Sequence, residues 1–171
     1  MEDSATTEIA SRQLLRLSSG GERLLVPIDA VREILEVAGL TPVPQTPAFV
    51  RGVMNLRGAV VPVLDLSARL DLAPTRLARR SAIIVVESLP APPQDRMIAG
   101  LLVDAVFEVI DLGDQVIESV PSLGVAVPAN FLSGMLNVRG DYAGILNLNQ
   151  LLEPQALAKL IGDNAAGSPR H

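Results

Sequence analysis

No cysteine occurs anywhere in the 171 residues, and the only histidine is His171, the last of them. The first absence removes disulfides, thiolate nucleophiles and Cys-based metal sites together. The second removes the commonest general base and leaves a transition metal with carboxylates alone. Aromatic residues make up 2% of the chain, too few to stack a row of bases. Lysine occurs once, at Lys159, so the basic charge is nearly all arginine. Nineteen acidic against fourteen basic residues give a net charge of -5 and a pI near 4.8, which opposes binding to a phosphate backbone. No apolar run approaches the roughly 20 residues that span a bilayer. The acidic start Met1-Glu2-Asp3 carries neither the positive nor the apolar region of a signal peptide. A cytoplasmic protein without direct membrane insertion is expected.

What the chain does have is a succession of short β-rich runs bounded by turn residues. Candidate strands are 13–17, 23–28, 50–56, 59–65, 81–87, 97–103, 106–110, 132–138 and 142–148. Ser19-Gly20-Gly21, Arg57-Gly58 and Arg139-Gly140 punctuate them. Helical periodicity is weak. Leu151, Leu152, Leu157, Leu160 and Ile161 predict a C-terminal helix of about 12 residues capped by Asn149, and Asp29 is an acceptable cap for a short helical turn carrying Val31 and Ile34. The ordered part is expected over 13–161, with flexible tails at 1–12 and 162–171.

The strongest internal signal is a repeat. FVRGVMNLRGAVVPVLDLSARL, Phe49–Leu70, lies over FLSGMLNVRGDYAGILNLNQLL, Phe131–Leu152, at a displacement of 82 positions. A second block, Ile28–Ile34, lies over Val103–Val109 at a displacement of 75. Duplication into two similar lobes of about five short strands each explains both. Five strands suit a small closed barrel better than a flat sheet with two open edges.

Within the repeat, Asn55 and Gly58 suit a tight hairpin turn. A turn does not require arginine at its tip, so Arg57 is a candidate partner contact, weighed against a solvated or intramolecular ion pair. Val31 and Glu33 read as a core residue beside a solvated charge or as contact residues, and Val106, Glu108 and Val109 repeat the arrangement. Gly52 and Gly134 interrupt strands, which a barrel corner or the close approach of another chain would require; the corner is favoured. Asp111 and Asp114 have neither EF-hand spacing nor a catalytic motif around them and read as a solvated loop. No phosphate-binding glycine loop occurs. No cofactor or metal is expected and no enzymatic activity.

LLVPIDAVREIL, TPVPQTPAFVRGVMNLRGAVVPVLDL, AGLLVDAVFEVIDLGDQVIESVPSL and FLSGMLNVRGDYAGILNLNQLL together resemble the CheW-like domains of bacterial chemotaxis, over nearly the whole of 13–161. The resemblance implies two SH3-like five-stranded barrels, intertwined and related by duplication. Such domains occur as a stand-alone adaptor, as the regulatory domain of the kinase CheA and fused to a receiver in CheV; the length here suits the stand-alone adaptor. It further implies a non-catalytic scaffold whose partners are the regulatory domain of a CheA-type histidine kinase and the cytoplasmic tip of a methyl-accepting receptor, in arrays at the inner membrane. By position, the receptor- or kinase-facing residues would be Val31, Glu33, Gly52, Arg57, Val109 and Gly134. The alternative from another class is a small-barrel nucleic-acid-binding protein, against which the acidic pI and scarce aromatics stand.

Overall fold

The computed structural model describes residues 12–88, 97–121 and 126–152. Ten strands form two five-stranded sheets: β1 (Gln13–Ser19), β2 (Glu22–Pro27), β3 (Val31–Glu36), β4 (Val50–Leu56), β5 (Ala59–Asp65), β6 (Ala82–Glu87), β7 (Ile98–Val103), β8 (Ala105–Asp111), β9 (Leu132–Val138) and β10 (Asp141–Leu146). Two single-turn helices follow the repeated hairpins, α1 (Leu66–Arg69) and α2 (Leu148–Leu151). One sheet runs β3-β6-β7-β5-β4 and the other β8-β1-β2-β10-β9.

The two orders are the same once each strand of the first half is replaced by its counterpart five strands on. In both sheets the pairings are antiparallel except one, β5 with β7 and β10 with β2. Yet the sheets are not the sequence halves. The first half gives β3, β4 and β5 to one sheet but sends β1 and β2 to the other, and the second half does the reverse.

Each sheet closes on itself through the segment that follows its edge strand. Thr41 and Val53 exchange backbone hydrogen bonds of 2.9 Å, and Glu118 and Met135 exchange bonds of 2.8 Å. Val53 and Met135 are repeat counterparts. Closure removes the exposed edge, as the strand count predicts.

Strands β1, β2, β6 and β7 are apolar on both faces because each has two cores to fill. Leu14 and Leu25 enter the interior of one barrel with Leu136 and Ile145, and Ile83, Val85 and Leu102 enter the other with Met54 and Val63. The alternate residues Leu15, Leu17, Leu24, Val26, Ile84, Val86, Leu101 and Val103 join a third cluster between the barrels, larger than either interior. The two barrels therefore share one core.

Nine of the ten strands fall where the sequence puts them, and β4, β5 and β9 match residue for residue. The exception is β3. The helical turn expected there is confined to Ile28–Ala30, which has no side-chain cap, and Val31 and Ile34 lie on a strand paired with β6. The C-terminal helix is capped two residues earlier than expected. Asn147, not Asn149, accepts a hydrogen bond from the Gln150 amide at 3.3 Å. Leu157, Leu160 and Ile161 lie outside the described residues. Helix α1 was not anticipated, although the repeat carried its signal: Asp65, the counterpart of Asn147, caps it through the Ala68 amide.

Candidate functional site

The repeated hairpins turn through two residues, Arg57-Gly58 and Arg139-Gly140, each with positive φ at both positions. That is the turn whose twist matches paired strands. Asn55 and Asn137 are not at the positive-φ positions. Their side-chain carbonyls instead accept the Gly58 and Gly140 amides at 3.0 and 2.8 Å. An arginine in the left-handed region is locally unfavourable, and both barrels carry one, at φ 52°.

Each arginine meets the glutamate of the neighbouring edge strand. Arg57 donates to both Glu33 oxygens, at 2.6 and 2.9 Å. Arg139 lies 3.2 Å from Glu108, the repeat counterpart of Glu33. Of the two readings of Arg57, the intramolecular ion pair is the one seen, and its side chain still stands 71% exposed. Hydrogen bonding to Arg57 holds the Glu33 carboxyl below the usual carboxylate range, with burial opposing.

In the other barrel Glu108 has a second partner. Arg16 of β1 donates to it through Nε at 3.2 Å and Nη2 at 3.1 Å. Arg16 also lies over the Phe107 ring, 4.5 Å from its centroid. The hydrogen bonds from Arg16, then a backbone hydrogen bond within Glu108 itself, then Arg139 bring the Glu108 carboxyl down to about 2, with burial opposing. A carboxyl depressed in the folded state stabilises it above the unfolded value of 4.5, and that contribution is lost as pH falls through about 2. Glu108→Gln should therefore flatten the fall of the urea midpoint across this acid window and leave its slope above pH 5 unchanged. The effect is modest, because the side chain is 39% exposed and solvent screens the pair. A variant whose midpoint falls as steeply as wild type would refute the linkage.

Gly52 and Gly134 are buried where the closing segments cross. A Cβ on Gly52, at φ +147°, would lie 2.5 Å from the Thr41 carbonyl oxygen. One on Gly134 would meet the Ile117 side chain and approach the Glu118 carbonyl oxygen to 3.0 Å. The close approach of the chain's own closing segments accounts for the space each glycine leaves. Val31 packs against the shared core, whereas Val109 is exposed on β8 of the other barrel, as its counterpart Ile34 is on β3. The expected contact residues thus divide: Glu33, Gly52 and Arg57 belong to one barrel's rim, Val109 and Gly134 to the other's.

Sequence reasoning missed two arginines that join the barrels or their rims, Arg16 and Arg69. Arg69 of α1 lies between the repeat-related rings of Phe49 and Phe131, at 4.9 and 4.8 Å, and donates to the Leu151 and Gln150 carbonyls. Neither has an arginine counterpart in the repeat, so the repeat could not flag them. Asp114 is exposed in a loop, as expected, whereas Asp111, also exposed, is the last residue of β8 and pairs with Gln13. Among the described residues no group of three or more His, Cys, Asp or Glu side chains is placed to hold a metal ion. No described helix is long and apolar enough to cross a membrane.

A family model described as the CheW-like domain matches residues 13–156. The chain belongs to the CheW-like family. The probable chemotaxis protein CheW of Rhizobium etli and the chemotaxis protein CheW of Rhizobium meliloti are each 36% identical to it over 140 residues, 82% of this chain and 86% of theirs. The crystal structure of the scaffolding protein TtCheW from Thermoanaerobacter tengcongensis matches with a TM-score of 0.73 at 31% identity, over 83% of this chain and 88% of that one. The two closed sheets are accordingly the paired SH3-like barrels of a CheW-like domain, and the Glu33–Arg57 and Glu108–Arg139 pairs mark equivalent rims of those barrels.

Proposed function

We propose that the protein is a non-catalytic chemotaxis adaptor that couples methyl-accepting receptors to a CheA-type histidine kinase, in the cytoplasm at receptor arrays. The observation that carries this reading is the CheW-like match across both barrels, 13–156, with an exposed, rigidly held arginine on each rim. Val31, Glu33, Gly52, Arg57, Val109 and Gly134 are the residues assigned to receptor or kinase docking. Arg57 and Glu33 offer a planar charged pair to a partner's carboxylate or carbonyl. Gly52 and Gly134, being buried, act by holding the rim's shape. The nucleic-acid alternative has no support in a net charge of -5 and 2% aromatics.

Reconstitution tests it. Receptor-bearing membranes, a CheA-type kinase and the purified chain should sediment together, and receptor-dependent kinase autophosphorylation should rise by about tenfold or more on adding the chain. The chain alone should hydrolyse no ATP. Kinase activity that ignores the chain, with no co-sedimentation, would sink the reading.

A further inference from the structure

Between α1 and β6 the chain runs Thr75-Arg76-Leu77-Ala78-Arg79-Arg80, three arginines in five residues of an acidic protein. Residues 76–80 are all exposed, and Leu77 among them is 56% exposed. No ion pair to Arg76 or Arg79 forms among the described residues.

The bland account is a solvated loop, but this loop is tied at both ends. Thr75 is buried, and its amide and hydroxyl donate to the buried Asp65 carboxylate at 2.9 and 2.7 Å. Asp65 is in turn paired with Arg51 at 2.9 Å. At the far end Ser81 accepts the Ala78 amide on its hydroxyl at 2.9 Å, and its own amide donates to the Ala78 carbonyl at 3.1 Å. A loop held this way presents its side chains at a reduced ordering cost.

The loop also continues into a larger feature. Arg80 reaches the Phe107 ring on β8, 5.4 Å from its centroid. Arg16 lies over the same ring at 4.5 Å and pairs with Glu108, which Arg139 also contacts. These contacts join Arg80, Arg16 and Arg139 in one stripe from the loop to the β9–β10 turn, with Glu108 the carboxylate among them. Arg76 and Arg79 extend it along the loop, so that it draws on five of the fourteen basic residues.

We propose that this arginine stripe docks an extended acidic segment of a partner protein, with Leu77 as its apolar anchor. An extended anionic surface, such as a lipid headgroup plane or a nucleic-acid duplex, would also face the surrounding protein, whose net charge is -5. A peptide meets only the charges within a Debye length, about 8 Å at physiological salt. Guanidinium groups pair carboxylates bidentately and gain most where they are already held in place. Arg76, Leu77 and Arg79 lie outside the residues assigned to receptor or kinase docking, so this surface stands apart from the adaptor reading.

Fluorescence anisotropy with the full chain tests it. The probe is a labelled synthetic peptide of repeating Glu-Glu-Leu. Arg76→Glu/Arg79→Glu should weaken peptide binding by about tenfold or more and melt as wild type does. Raising salt from about 50 to 300 mM should weaken the wild type far more than the variant. Equal affinity of the two proteins would overturn the proposal. So would equal binding of a Lys-Lys-Leu peptide, or a wild type that ignores the acidic peptide but sediments with phosphatidylserine vesicles, which would reassign the stripe to lipid.

Discussion

Arg57→Asp should weaken binding to the receptor tip roughly thirtyfold while leaving the melting temperature within about 2 °C of wild type. The guanidinium is 71% exposed on a two-residue turn, so its removal opens no cavity. The left-handed conformation at φ 52° suits aspartate better than arginine. At the rim the change is larger: a positive group becomes a second carboxylate facing Glu33. Arg57→Gly separates the effects, because it removes the charge without adding repulsion and relieves the backbone. It should melt no lower than wild type and still bind poorly. The measurement is a melt beside titrations against the receptor tip and, separately, the kinase regulatory domain. Wild-type affinity for both partners would leave Arg57 a clasp on Glu33 and nothing more; a collapsed melt would make the clasp structural.

Gly52→Ala should cost about 3 kcal/mol, because it combines a backbone conformation nearly restricted to glycine with overpacking. The atoms in the way are the Thr41 carbonyl oxygen and carbon, at 2.5 and 2.9 Å from the new Cβ. They are backbone, pinned by the reciprocal bonds between Thr41 and Val53, and cannot rotate aside. A chain of this size should lose about 10 °C of melting temperature. Gly134→Ala should lose less, about 2 kcal/mol, since no positive φ adds a backbone penalty there and only overpacking against Ile117 and the Glu118 carbonyl oxygen opposes the new Cβ. Matching losses, or a Gly52→Ala melt within a degree or two of wild type, would show that the closing segment yields.

The contrast between β3 and its counterpart β8 explains what the sequence could and could not disclose. On β3 the apolar residues Val31, Ile34 and Leu35 fall at helical spacing, and strand alternation would turn charged Glu33 inward with Val31 and Leu35. The structure adopts that alternation, leaving Arg32, Ile34 and Glu36 exposed. It is tolerable because Arg57, 24 residues away, meets Glu33 at the rim. No local pattern announces that partner. Hairpin β4–β5 and strand β9 were legible to the residue, and β10 to within two, because Asn-x-Arg-Gly writes the turn into the sequence. Glu33 and Arg57 were each identifiable as candidates, but their pairing is a property of closure. Arg16 was hidden for another reason: it sits between Leu15 and Leu17 in a run that reads only as strand.

The exchange of strands between sheets bears on how such a chain could exist at half its length. Residues up to α1 carry two strands of one barrel and three of the other, so alone they leave both barrels open and the shared core uncovered. A second copy of the same half would supply what is missing on each side, two strands to one barrel and three to the other. Its Leu15, Leu17, Leu24 and Val26 would occupy the places that Ile84, Val86, Ala99 and Leu101 hold in the shared core. The pseudo-twofold within this chain is therefore the symmetry that a strand-exchanged homodimer of two such halves would have, with the halves here covalently continuous between β5 and β6.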